Sequence, residues 1–224
     1  MRTLSGAMNL TTVLFLTMSV DAPGKNYTSL LECWLKQMRF HKVPNVAVMM
    51  GHRNPDHVEL CHQHNVAIIP VKPYLTRSPA DSSYLWQGTK INMMNLTRWK
   101  TVVYFDMDFL FYDSPALCVS LCRSSFCATR DSGVPGTYFN AGMMIIKPSK
   151  QMFLRAKNAM DGYSPKRFAE QDLLNEIFDA QLLPRICNVV SPTADDFKSA
   201  RGLLHEKLWS SPPDARPSVC SRLP

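Results

Sequence analysis

The chain has 224 residues, 46% of them hydrophobic and 19% charged, the size and balance of one α/β domain and not of a disordered, collagenous or coiled-coil chain. Lys and Arg outnumber Asp and Glu by 25 to 18, a net charge of +7. That surplus suits an anionic ligand such as a phosphate ester, but the basic residues are scattered without a stripe, which argues against a nucleic-acid partner.

In chain order, the first predicted element is residues 11–20 (TTVLFLTMSV). Threonines and a serine interrupt the run, and Pro23 would follow a cut after Ala22, so a buried strand fits better than a signal-peptide core. No stretch reaches the roughly 18–20 apolar residues of a membrane span, so no transmembrane segment is expected. Tyr27–Phe40 reads as a helix, with Leu30, Leu31, Trp34, Leu35 and Met38 on one face. Val46–Met50 is a buried strand closed by Gly51, and Asn54 caps a helix that opens at Pro55 and runs towards Gln63. Residues 66–70 form another strand, and residues 72–84 a long loop rich in Pro and Ser. Residues 89–98 read as helical, and Thr101–Phe105 is a continuous apolar strand that delivers Asp106 at its end.

Buried strands alternating with helices predict a mostly parallel, Rossmann-like sheet flanked by helices. Ligands of such sheets bind beyond the carboxyl ends of the strands. One domain is expected over residues 1–209, followed by a Pro- and Ser-rich tail, residues 210–224, expected to be poorly ordered. The methionine pairs Met49-Met50, Met93-Met94 and Met143-Met144 read as core filler.

The seven cysteines are an odd number, so at least one thiol is free or pairs with another molecule. Cys118, Cys122 and Cys127 cluster without a zinc-binding spacing. Buried thiols or one local disulfide are expected there. Cys61-His62-Gln63-His64 looks metal-like but falls at a helix end, where it reads as solvated.

The sharpest local feature is Tyr104-Phe105-Asp106-Met107-Asp108. In an extended chain, residues two apart point to the same side, so both carboxylates can converge on one cation while Met107 turns into the core. Hard oxygen ligands of this kind suit manganese or magnesium bridging a diphosphate. The segment FDMDFLFYDS also resembles the first motif of the haloacid-dehalogenase-like phosphohydrolases, in which Asp106 would be a nucleophile and Asp195-Asp196 the distal acidic pair. Phe109 and Leu110 stand where that family has Gly and then Thr or Val, and about a hundred residues precede the motif.

Further segments point to a different class. Lys90 of Gly88-Thr89-Lys90 stands sixteen residues before Asp106. Phe139-Asn140-Ala141-Gly142 leads into an apolar strand and Lys147-Pro148-Ser149; Glu170-Gln171-Asp172-Leu173-Leu174-Asn175 follows, then His205-Glu206-Lys207-Leu208-Trp209. In this order they resemble the motifs of glycosyltransferase family eight, the glycogenin-like retaining enzymes of GT-A fold.

The resemblance implies a divalent-metal-dependent hexosyl- or pentosyltransferase that uses a UDP-sugar donor. Asp106, Asp108 and His205 would hold the metal, and Lys207 would neutralise the diphosphate. Lys90, Met107, Asn140, Ala141 and Gly142 would contact the donor. Leu16 and Thr17 align with the family's nucleotide-contacting strand. Gln171 would present its carbonyl to the anomeric carbon, and Glu170, where the family has Asp, would accept a sugar hydroxyl. Gly142 would let the backbone approach the sugar. The competing expectation is a catalytically impaired relative that binds nucleotide-sugar without turnover, because the closing motif is shortened. The acceptor, whether glycan, protein or small molecule, is not specified; a homodimer is compatible with the sequence, and the compartment leans towards the cytoplasm over the Golgi or secretory lumen.

Overall fold

The computed structural model describes residues 10–19, 27–75, 86–164 and 168–205. A short 3-10 turn, Leu10–Thr12, leads into β1 (Val13–Ser19), so the expected first strand begins two residues late. Then come α1 (Tyr27–Phe40), β2 (Val46–Met50), α2 (Pro55–Gln63) and β3 (Ala67–Pro70). Asn54 caps α2, its side chain accepting from the backbone N–H of Asp56 and of His57, and Pro55 supplies the first helical φ. The stretch expected to be helical over 89–98 is a 3-10 helix, Gln87–Asn95. Nine residues is long for that form, and its centre, Gly88 to Met94, is buried throughout. After β4 (Thr101–Phe105) and β5 (Phe109–Phe111) come a 3-10 helix (Pro115–Leu121), β6 (Phe126–Arg130), β7 (Phe139–Ile146), α3 (Lys150–Met160) and α4 (Ala169–Ile177). The chain continues with β8 (Gln181–Leu183), a 3-10 turn (Arg185–Cys187), β9 (Val189–Val190), α5 (Ala194–Ser199) and β10 (Leu203–His205). The predicted tail, residues 210–224, lies outside the described residues.

The main sheet has seven strands in the order β3-β2-β1-β4-β7-β6-β8. Only β7 runs against its neighbours, antiparallel to both β4 and β6; the remaining pairs are parallel. Alternate residues of β1 feed two cores: Val13 and Phe15 pack with Trp34 and Leu31 of α1, and Leu14, Leu16 and Met18 pack with Ile91, Met94 and Leu173. Period-two alternation with apolar residues on both sides marks a sheet covered on both faces. The paired methionines all lie in these cores. A second sheet of three short strands, β5-β10-β9, stands at the end of β4, with β10 antiparallel to β5 and parallel to β9.

Two cystines join described residues, and Cys118, Cys127 and Cys187 are buried in the core beside α1. Cys122–Cys127 is the expected local disulfide, whereas Cys118–Cys187 spans 69 residues and joins the 3-10 helix after β5 to the turn before β9. Cys61 is the free cysteine among the described residues; it is buried and not solvated as expected, while His62 and Gln63 are exposed. Burial pushes the Cys61 thiol up to about 11. No helix among the described residues is long and apolar enough to cross a membrane.

Helix α1 carries one polar residue on its buried face. Gln37 donates to Phe109 O at 3.0 Å and accepts from Phe111 N at 2.7 Å, so its amide pairs with β5 like an extra strand residue. Replacing it with an apolar side chain of similar length strands both backbone groups. A buried unpaired polar group costs about 1–3 kcal/mol, so Gln37→Met should lower unfolding free energy by roughly that amount in a denaturant titration, with the far-UV spectrum of the folded protein unchanged.

Candidate active site

Strand β4 ends at Phe105; the Asp106 N–H still bonds Gly142 O of β7 at 2.7 Å, and the chain then turns through Met107 and Asp108 into β5. The two carboxylates therefore converge across a turn and not along an extended strand, which corrects the expected geometry but keeps its outcome. Met107 packs into the core as anticipated. Strand β10 sets His205 directly opposite Phe109, and the imidazole stacks on that ring at 4.5 Å. His205 Nε2 lies 3.3 Å from Asp108 Oδ1 and 3.8 Å from Asp106 Oδ2. One ligand atom from each of Asp106, Asp108 and His205 falls within 4.8 Å of the others. Burial drives the His205 pKa down, but Asp108 and Asp106 outweigh it and the net shift is upward. Two carboxylate oxygens and an imidazole nitrogen facing one point fit a divalent ion of the manganese or magnesium kind.

The absence of a side chain at Gly142 makes room for the imidazole. A Cβ built there would overlap His205 Cε1, lie 2.6 Å from His205 Nδ1 and 2.9 Å from Asn140 Oδ1. The imidazole occupies the space that a side chain would need.

Lys90 is buried, with 3% of its side chain exposed, and its ammonium sits 2.9 Å from Asp106 Oδ1 and 2.7 Å from Glu170 Oε1. Tyr104 donates its hydroxyl to the same Asp106 oxygen at 2.7 Å. Burial alone would lower the Lys90 pKa, but the two carboxylates raise it above its ordinary value and the ammonium stays charged. Burial raises Glu170 against the pull of Lys90. Lys90 and Glu170, both expected to contact a sugar, thus bind each other through Glu170 Oε1.

Behind this pair lies a second polar layer. Gln171 Oε1 accepts from Ala141 N at 2.8 Å, and Gln171 Nε2 donates to Asp131 Oδ2 at 3.1 Å. Asn140 Oδ1 accepts from Gly142 N at 2.9 Å and from Asn188 Nδ2 at 3.0 Å, while Asn140 Nδ2 donates to Asp131 Oδ2 at 3.0 Å. Asp131 and Asn188 are absent from the expected set. Asp131 follows β6, but that strand ends in Thr129 and an exposed Arg130, so neither Asp131 nor Asn188 carries a local sequence signal.

Leu16 and Thr17 are not brought to the site. Both lie in the middle of β1, fully buried, with Leu16 paired to Tyr104 on one side and Ala47 on the other. Lys207 lies outside the described residues. Asp195 and Asp196 form the first turn of α5, where Asp196 completes a capping box with Thr193 and binds Arg185 at 2.7 and 2.8 Å. Those contacts, Arg185 first, hold Asp196 below the usual carboxylate range. The pair is thus used locally, which removes the distal acidic motif that a phosphohydrolase would need.

No protein-family profile matches the chain. It is 23% identical over 184 residues to galactinol synthase 1 of Ajuga reptans, covering 66% of this chain and 55% of that protein. Against galactinol synthase 4 of Arabidopsis thaliana it is 22% identical over 188 residues, with the same coverage of each chain. The chain thus spans about half the length of these curated relatives. Among solved structures, the apo glycosyltransferase GlyE of Streptococcus pneumoniae TIGR4 superposes with a TM-score of 0.59 at 17% identity, covering 87% of this chain and 54% of that one. The fold is that of the GT-A glycosyltransferases. Within that class, the galactinol synthases bear out the resemblance to glycosyltransferase family eight.

Because Gly142 makes room for His205, Gly142→Ala should displace the imidazole while leaving the sheet intact. We expect manganese affinity to fall on the order of 10-fold or more, as when a metal ligand loses its support, at unchanged far-UV circular dichroism.

Proposed function

We propose that the chain carries the donor-binding and catalytic machinery of a retaining glycosyltransferase, one that moves a hexose or pentose from a UDP-sugar to an acceptor hydroxyl with a divalent metal. The observation that carries this reading is the meeting of Asp106, Asp108 and His205 at one point, beyond β4 and β7, with Gln171 beside the same strand ends. A metal bound there supplies Lewis-acid stabilisation of the diphosphate as it leaves. Lys90 acts through Asp106, holding one oxygen inward so that the other faces His205. Gln171 keeps one carbonyl lone pair beyond its bond to Ala141, available to the positive charge that develops at the anomeric carbon. Lys207, two residues past His205, is assigned to the diphosphate. The sugar–phosphate bond breaks with its electron pair on the diphosphate, the acceptor oxygen bonds the anomeric carbon on the same face, and the acceptor's proton passes to the departing diphosphate.

The cystines support an oxidising compartment, a secretory lumen and not the cytoplasm, because such bonds persist where thiols are not kept reduced. A disulfide of this kind contributes about 2–5 kcal/mol. Protein made in a reducing cytosol should therefore melt well below the same protein after oxidative refolding, and the Cys187→Ser variant should melt low in both preparations.

The activity test is a screen of UDP-glucose, UDP-galactose and UDP-xylose for manganese-dependent donor hydrolysis, with UDP affinity followed by calorimetry. Asp108→Ala should abolish both metal-dependent UDP binding and turnover. Gln171→Ala should keep UDP affinity and lose about 10²–10³ in rate, the scale for one transition-state contact. Equal UDP affinity with and without manganese would sink the reading.

A further inference from the structure

Asp131 stands at the carboxyl-terminal side of β6 with 7% of its surface exposed. Its carboxylate faces three donors: Gly133 N at 2.9 Å on Oδ1, and on Oδ2 the side-chain amides of Asn140 at 3.0 Å and Gln171 at 3.1 Å. Among the described residues no Lys, Arg or His pairs with it, so three neutral donors hold a buried charge. Such an arrangement is costly unless each donor is held in place.

The chemistry of the three groups leaves one solution for the amides. A carboxylate only accepts, so the atom that each amide turns to Asp131 must be nitrogen. At their other ends, Gln171 meets Ala141 N–H and Asn140 meets Gly142 N–H, and both demand oxygen. A Gln171 flipped by a half-turn would set NH2 against the Ala141 N–H and aim N–H dipoles at a centre that becomes positive as the sugar–phosphate bond breaks. Its oxygen belongs there and its nitrogen does not.

We infer that Asp131 is a positioning residue for sugar transfer: it fixes the amides of Gln171 and Asn140 so that the Gln171 carbonyl, and not its NH2, faces the anomeric carbon. This inference rests on the proposed transferase reading for its consequence in rate, and on the hydrogen bonds alone for its structural part.

The test is a double-mutant cycle on manganese-dependent hydrolysis of whichever of UDP-glucose, UDP-galactose or UDP-xylose the wild type turns over. Asp131→Ala should lower kcat on the order of 10²-fold, the cost of a misplaced reacting group, while UDP Kd stays within about 2-fold, inside the scatter expected for a site not touched. In the Gln171→Ala background the same change should cost less than about 3-fold, because the group that it positions is gone. Asp131→Asn should fall between: its oxygen can serve the two amides or the Gly133 N–H, but its NH2 then faces a donor at the other end. Should Asp131→Ala fail to fold, the Asn pair completes the cycle. Losses that multiply in the double variant, an unchanged kcat, or a UDP Kd that rises as kcat falls would each overturn the role. If the wild type hydrolyses none of the three donors, the transferase reading fails separately, and the side-chain amide resonances of Gln171 decide the rest. They should shift and lose exchange protection in Asp131→Asn; unchanged resonances would overturn the positioning role on their own.

Discussion

A buried ammonium needs anions close by, and much of this site is arranged around that demand. Moving a charge out of water costs several kcal/mol even after relaxation, and Lys90 is almost wholly enclosed. Glu170 at the start of α4 and Asp106 at the end of β4 supply the compensation from two different elements. The pairing binds the buried 3-10 helix, the sheet and α4 into one unit. It also decides which Asp106 oxygen is offered outward: Oδ1 is taken by Lys90 and Tyr104, and Oδ2 is the one that faces His205. The Asp106 oxygen that faces His205 is thus set from behind by a lysine bonded to the other oxygen.

Elements that bury continuous apolar runs were legible. Tyr27–Phe40, Val46–Met50, Pro55–Gln63 and Thr101–Phe105 appear with the boundaries that periodicity and capping indicate. The signal failed where tertiary contact outweighs local pattern. The polarity of Gln37 gave no hint that it is buried to partner two backbone groups of β5. Residues around Lys90 read as helical, and they form a buried 3-10 helix in place of an α-helix. Cys118 and Cys187 lie too far apart in sequence for spacing to join them.

The site shows the same division. Residue types and order identified Asp106, Asp108, His205, Lys90, Asn140 and Gln171, and the structure brings all six to neighbouring strand and helix ends. What the sequence does not carry is which polar atoms face one another. Lys90 and Glu170 satisfy each other, and Gly142 yields its space to an imidazole. Asp131 follows a strand that ends in Thr129 and an exposed Arg130, and with no second acid two residues on it has no local mark of its importance.

The three-stranded sheet that carries His205 has a consequence for the order in which the protein matures. Leu203 pairs with Phe111, ninety-two residues earlier, and the pairing that sets His205 over Phe109 is equally long-range. Contacts of such separation form late, after the closure entropy of the intervening chain has been overcome. A chain emerging from the ribosome can complete β1 to β7, and with them Asp106 and Asp108, long before β10 exists. Until then the two carboxylates lack their imidazole. The cluster of Asp106, Asp108 and His205 is completed last, by a strand of three residues, on a scaffold already in place.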